Sequence, residues 1–264
     1  MAKLIEKTWN WGHLEGSHNF ITGINHTMSP EQFMEEYGVP NAFIVSYAGN
    51  IQPPFDSHFQ RFAGLKQIKW SVLGDASTPL PEARLGETQT ILDCVKKGLG
   101  KNLTGGVLDD FFSPERMKRF TPEVLKEIKA ELNANGLDFW CVLYNHQLDL
   151  DLAPYMECFD GVSFWLWGSE HIENLEDHLA KFFKVAEGKQ KMLGMYLWDY
   201  LDEGTKPMDG ARFEKQLHRY FGLLENGEIE GVIFCSSTVA DGDLEANKIL
   251  KKFLKENGDK EIKK

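Results

Sequence analysis

The sequence predicts an α/β protein built as one (β/α)8 barrel. Three observations lead there. Eight short apolar, β-rich runs recur along the 264 residues. Their starts fall roughly 25 to 40 residues apart, the interval that a strand-plus-helix unit of a parallel sheet needs. No interdomain linker interrupts them, and a chain of about 250 residues is an ordinary length for a single barrel. A doubly wound open sheet is the alternative. It uses fewer strands, and its nucleotide-binding form wants a G-x-G-x-x-G turn that this chain lacks.

In order, the strand runs are KTWNWGH from Lys7, NAFIVSYAG from Asn41, QIKWSVLGD from Gln67 and TGGVLDDFF from Thr104. DFWCVLYNHQ from Asp138, GVSFWLWGS from Gly161, KMLGMYLWDY from Lys191 and EGVIFCSST from Glu230 complete the set. The segments between them carry helix signals. Ser29-Pro30-Glu31 places a cap residue before a helix-starting proline. Ser113-Pro114 opens the connection after the fourth strand. Thr121-Pro122-Glu123 repeats the device, and its helix is expected to run to Gly136. VLKEIKAEL and HLAKFFKVA have amphipathic spacing. Asp243 is expected to cap a last helix reaching Gly258, after which the lysine-rich end reads as a frayed tail.

The formal net charge is −11. No long basic cluster offsets it, so neither nucleic acid nor an anionic membrane surface is an expected partner. No run of about 18 apolar residues could span a bilayer. The first residues lack the apolar centre of a signal peptide, which fits either a cytoplasmic protein or an exported one whose leader has been removed. The four cysteines form no CxxC pair; Cys141 and Cys235 sit in apolar runs, as small buried hydrophobes do. No cofactor or metal is expected, since no HxH or HExxH spacing is present. Nothing in the sequence sets an oligomeric state.

A barrel does its chemistry at the C-terminal ends of its strands, so the last residues of each run are the candidate site. The first run ends in Trp9, Trp11 and His13, with Glu15 beyond; the second offers Tyr47 and Asn50; the third ends at Asp75. The fourth gives Asp109 and Asp110, and the fifth Tyr144, Asn145, His146 and Gln147. The sixth gives Trp165, Trp167 and Glu170; the seventh Tyr196, Trp198, Asp199 and Tyr200; the eighth Ser236, Ser237 and Thr238. Acids can move protons or attack carbon. Flat aromatic faces can stack on sugar rings, and amides and imidazoles can bond hydroxyls. Five of the seven tryptophans lie at strand ends; Trp70, in mid-strand, reads as core.

This set points to a carbohydrate substrate and to glycoside hydrolysis by two carboxyls, about 5 Å apart for retention and roughly 6.5–9.5 Å for inversion. Side chains alternate along a strand, so Asp109 and Asp110 are expected to point to opposite faces. Asp110 is then the central acid and Asp109 its support, with the partner coming from Asp199 or Glu170, and Glu15 and Asp75 behind them. That mechanism requires an acid from another strand within about 10 Å of Asp110 in the barrel mouth; without one the hydrolase reading fails. Trp11, Trp167, Trp198 and Tyr200 would be sugar platforms; His13, Tyr144, Asn145 and His146 would hold hydroxyls. Each also has a plainer reading: Asp-Asp after a strand can cap a turn, Glu170-His171 can be an exposed loop pair, and His146 can be structural. A carbohydrate-binding barrel without catalysis is one rival. A metal-dependent hydrolase or isomerase using His13, Asp75, Asp110 and His146 is another. A Schiff-base enzyme would want a lysine at a strand end, whereas Lys69 sits early in its strand. The acidic runs after strands seven and eight oppose a phosphate site and tilt the expected substrate towards neutral sugars, and no G-x-S-x-G supports a serine hydrolase.

GVLDDFF resembles the strand-four ends of several glycoside-hydrolase-like barrels. The stretch from GMYLWDY through KPMDGARFEKQL to GEIEGVIFCSSTVADGDLEA is similar to a bacterial group of glycosidase-like TIM-barrel proteins of unassigned activity. The resemblance covers about the last third of the chain and the strand-four motif. It implies a barrel and a carbohydrate context and transfers no catalytic pair. A Glu ending strand four and another ending strand seven, the usual retaining pattern, is absent; Asp-Asp and Asp stand there instead.

Overall fold

Residues 2–47, 51–72, 86–200 and 204–263 are described by the computed structural model. All eight runs form strands: β1 Thr8–Gly12, β2 Asn41–Ile44, β3 Gln67–Ser71, β4 Leu103–Leu108, β5 Asp138–Tyr144, β6 Gly161–Trp165, β7 Gln190–Tyr196 and β8 Gly231–Cys235. Each pairs in parallel with the next, and β8 pairs with β1 from Val232↔Thr8 to Cys235↔Trp11, closing the barrel. The (β/α)8 expectation holds.

Helices follow the strands, and the local sequence explains where they start. Ser29 caps Pro30–Tyr37 by accepting from the Gln32 N–H, while the Gln32 side chain accepts from the Ser29 N–H. Ser113 caps Pro114–Arg119 in the same way through the Arg116 N–H. The helix Pro122–Ala134 buries Leu125, Ile128 and Leu132 at the expected helical spacing. It stops at Ala134, just before Gly136 takes up φ 75°. The fifth unit has only the short helix Ala153–Met156. Asp243 pairs with Lys248, and Leu244 occupies the cap position of the last helix, Glu245–Asn257. The expected frayed tail is not found: Glu261–Ile262 pairs antiparallel with Ala2–Lys3, and Ile262 is buried. An apolar residue near the chain end and a complementary first strand supply that pairing.

Inside the barrel, large rings lie against glycines. A Cβ on Gly161 would lie 2.4 Å from the Trp140 indole, and one on Gly194 2.1 Å from the Trp165 indole. These two positions admit only a hydrogen, which is how so narrow an interior accommodates so many tryptophans. Trp70 faces outward and packs among Phe55, Phe59 and Phe62. Towards the N-terminal end, Lys69 is 3% exposed. Its Nζ lies 2.6 Å from Asp138 Oδ1, 4.7 Å from the Trp140 ring centre and 5.6 Å from that of Trp9. Burial lowers the pKa of this ammonium and the Asp138 charge opposes the shift. Gly105 lets the pair form, for a Cβ there would lie 1.9 Å from Asp138 Oδ1.

Candidate active site

At the opposite, C-terminal end a cavity of about 310 Å³ opens to solvent. It is lined by Trp11, His13, Tyr47, Asp109, Asp110, Tyr144, Trp167, Tyr196 and Tyr200, all named at strand ends from the sequence, and by His18, Ile21, Thr205 and Cys235.

Both carboxylates line it, against the expectation from alternation. The reason is local. Strand β4 ends at Leu108, and Asp110 adopts φ 46°. A left-handed residue breaks the two-residue period and turns the second acid back towards the mouth. Aspartate is among the few side chains that tolerate this region, at a cost of about 1 kcal/mol. Arg116 fixes the turn from behind, donating to the Asp109 carbonyl at 2.9 Å. The Tyr144 hydroxyl donates to Asp110 Oδ1 at 2.6 Å. Burial, then the Asp110 charge, pushes the Tyr144 phenol well above its ordinary range, so it remains a donor.

Aromatic rings form the walls. Trp167 meets Tyr144 edge-on at 5.6 Å and Tyr196 at 5.9 Å; Tyr196 meets Tyr200 at 5.5 Å. On the far side His18 stacks on Tyr47 at 5.2 Å and lies 4.4 Å from His13. Burial holds both histidines neutral: His18 is lowered to about 4, and His13 well below its usual value with a further push from His18. Nδ1 of His13 and the Tyr200 hydroxyl are buried with no hydrogen-bond partner among the described residues. Thr205 ties the loop after β7 to the loop after β1 by donating to the Ile21 carbonyl at 3.1 Å. Among the described residues no lysine or arginine lines the cavity.

The other named residues do not line it. Asp199 is 2% exposed and holds the loop after β6, accepting from the Ser169 N–H at 3.2 Å and its hydroxyl at 2.5 Å. Asn145 braces the same loop through Oδ1, which accepts from the Trp167 N–H at 2.8 Å. Glu170 is exposed beside His171, its carboxylate folded over Gly168. Glu15 pairs with Arg61 at 2.8 Å. His146 stacks on Tyr144 with the rings 7° from parallel, and Trp198 is buried. Ser236, Ser237 and Thr238 are fully buried, with the Ser237 N–H donating to Asn10 Oδ1 at 3.0 Å. Asn50 and Asp75 lie outside the described residues. So the facing acid that a two-carboxylate mechanism requires is not found among the described residues lining the cavity: their only carboxylates are Asp109 and Asp110, neighbours on one strand end. Nor is there, among the described residues, a group of three or more His, Cys, Asp or Glu placed to hold a metal ion. No helix among the described residues is long and apolar enough to cross a membrane.

No family model and no curated protein matches the chain. Solved structures do. A GH113 β-1,4-mannanase aligns over 97% of this chain and 99% of its own, at 12% identity and TM-score 0.60. The GH18 chitinase ChiB of Flavobacterium johnsoniae aligns over 96% and 95%, at 12% identity and TM-score 0.58. The tryptophan synthase α-subunit of Pyrococcus furiosus aligns over 97% and 98%, at 13% identity and TM-score 0.51. The resemblance to glycoside-hydrolase barrels therefore holds at the level of the fold, and the tryptophan synthase α-subunit shares that fold.

Proposed function

We propose that the chain is a carbohydrate-active enzyme of the glycoside hydrolase kind, working at the C-terminal mouth of the barrel. One observation carries the reading: two carboxylates share a cavity of sugar size with six aromatic side chains, Trp11, Tyr47, Tyr144, Trp167, Tyr196 and Tyr200. Rings of this kind cover the apolar faces of a pyranose, and the carboxylates reach its hydroxyls and glycosidic oxygen. Asp110, aimed by the Tyr144 hydroxyl, carries the proton to or from the glycosidic oxygen. Asp109 lies beside it on the same side and assists. Asp199 and Asn145 act through the backbone of the loop they hold, placing Trp167 rather than touching sugar. His13 and Tyr200 contribute to the cavity wall. The glycoside hydrolases among the structural neighbours add support at the level of the fold.

A second reading is a barrel that binds saccharide without cleaving it. It is favoured by the lack of a facing carboxylate among the described lining residues. Asp110→Asn separates the two readings, because asparagine also accepts a left-handed backbone and keeps the Tyr144 hydrogen bond. In a screen of oligosaccharides, the enzyme reading predicts that turnover falls at least about 10²-fold while binding, followed by tryptophan fluorescence, persists. A wild type that binds saccharide and cleaves none leaves the binding reading.

A further inference from the structure

Two exposed rings stand at the lip of the cavity, on opposite sides of the barrel. Phe20 is 70% exposed and lies in the short helix Asn19–Thr22, after β1. Its ring is 9° from parallel to that of Tyr47, a cavity wall, with centres 6.0 Å apart. His146 is also exposed and follows β5. Its ring is 7° from parallel to that of Tyr144, another cavity wall, with centres 5.5 Å apart. Strands β1 and β5 are four places apart in a closed barrel of eight, so the two rings stand across the mouth from each other. Each continues a wall ring outwards, and the flat ring surface does not stop at the cavity edge.

Neighbouring side chains hold both rings in place. Asn19 Oδ1 accepts from the His26 N–H at 2.9 Å. Nδ1 of His26 lies 2.6 Å from Asp241 Oδ1, which ties the loop after β1 to the loop after β8. Ile21, beside Phe20, turns into the cavity, and Thr205 holds its carbonyl. On the other lip, Gln147 accepts from the Tyr144 N–H at 2.9 Å and donates to the Phe112 carbonyl at 3.2 Å. Asn145 and Gln147 are buried and bonded, which leaves His146 between them facing out. Phe20 is the most exposed large hydrophobic among the described residues. Its area leaves water only when something with an apolar face covers it. A cavity of about 310 Å³ is at the small end of small-molecule sites, so a long saccharide has to pass over the lip.

We propose that the cavity is the middle of a longer groove, and that its ligand is an internal stretch of a glycan chain. One sugar sits in the cavity, a neighbour on one side covers Phe20, and a neighbour on the other side covers His146. The ligand class is an oligosaccharide or polysaccharide, as opposed to a monosaccharide or a chain end. This inference rests on the reading of the cavity as a saccharide site.

The test is titration of the full chain by tryptophan fluorescence with four series of sugars, each from the monosaccharide to the hexasaccharide. The series are β-1,4-linked glucose, β-1,4-linked mannose, β-1,4-linked N-acetylglucosamine and β-1,3-linked glucose. The expected result, in at least one series, is an affinity that rises about tenfold or more with length. Phe20→Ala and His146→Ala should each weaken the long chains about threefold. The double variant should weaken them about tenfold, because the two sites are far apart. Monosaccharide binding should hold in all three variants. Monosaccharides that bind wild type as tightly as hexasaccharides would overturn the groove and keep the saccharide site. A gain with length that survives both substitutions, or that depends on one of them alone, would overturn the two-sided groove. No response to any sugar would overturn the saccharide reading and the groove with it.

Discussion

The two ends of this barrel use the same chemical groups to opposite ends. At the N-terminal end, an ammonium, a carboxylate and two indoles are packed into one buried cluster around Lys69 and Asp138. At the C-terminal end, carboxylates and aromatic rings surround an open cavity. Where the chain supplies every partner, the cluster is a plug. Where it leaves a cavity, the groups are arranged for something that comes from outside. A charged group inside a barrel is therefore not by itself a sign of chemistry; whether its partners come from the chain decides.

The comparison can be broken most sharply at the mouth. Asp110→Asn should lower turnover by about 10²–10⁴-fold while leaving the thermal midpoint nearly unchanged, since Asp110 is exposed. A comparable loss of stability, with turnover per folded molecule intact, would make Asp110 structural. At the other end the signs reverse. Lys69→Met should cost about 2–3 kcal/mol in urea unfolding, because it strands the partly buried Asp138 carboxylate. Turnover per folded molecule should hold, and adding Asp138→Leu should recover most of the loss. A cost below about 1 kcal/mol would show that the plug is no more than a surface-type pair.

The wall histidines sharpen the contrast through pH. His18 is held neutral down to about 4 in the folded chain, whereas it titrates near 6.5 when unfolded. Below that value the unfolded chain binds a proton that the folded chain refuses, so stability falls as pH drops from about 6.5 to about 4. The effect should be of order 1–3 kcal/mol, with His13 acting in the same direction. His18→Gln should flatten that window, and an unchanged slope would mean that His18 is not buried as described. The smallest effect lies on the rim. Phe20 is 70% exposed and parallel to Tyr47, 6.0 Å away. Phe20→Ala should weaken binding of longer oligosaccharides about threefold and leave monosaccharides alone; equal weakening of both would place Phe20 inside the cavity.

The barrel was legible in the sequence because eight apolar runs at regular intervals have few other ways to bury themselves. Half of the site was legible too, since aromatics and acids at strand ends are unusual outside one. The rest depended on geometry below the resolution of a strand boundary. Alternation places Asp109 and Asp110 on opposite faces, yet the strand ends at Leu108 and Asp110 turns left-handed. Asp199 and Asn145 have the same composition signal as a catalytic acid and amide, but they brace the loop after β6. No local pattern separates a side chain facing a cavity from one facing a loop. His18, Ile21 and Thr205 come from loops that fold back over the mouth, which a reading of strand ends does not reach. Cys235 ends β8 opposite Trp11 in register, whereas the β-rich run in the sequence continues through Ser236–Thr238 with no local mark of where the strand stops. The pairing of Glu261–Ile262 with Ala2–Lys3 joins the two ends of the chain, a contact no local window contains.

The most direct test of the central claim is a crystal structure of Asp110→Asn with an oligosaccharide that the wild type cleaves. The account predicts a sugar ring within the cavity, against Trp167 or Trp11, with its glycosidic oxygen within about 3.2 Å of the residue 110 side chain. A saccharide bound elsewhere on the barrel, with the Asp109–Asp110 mouth empty, would contradict it.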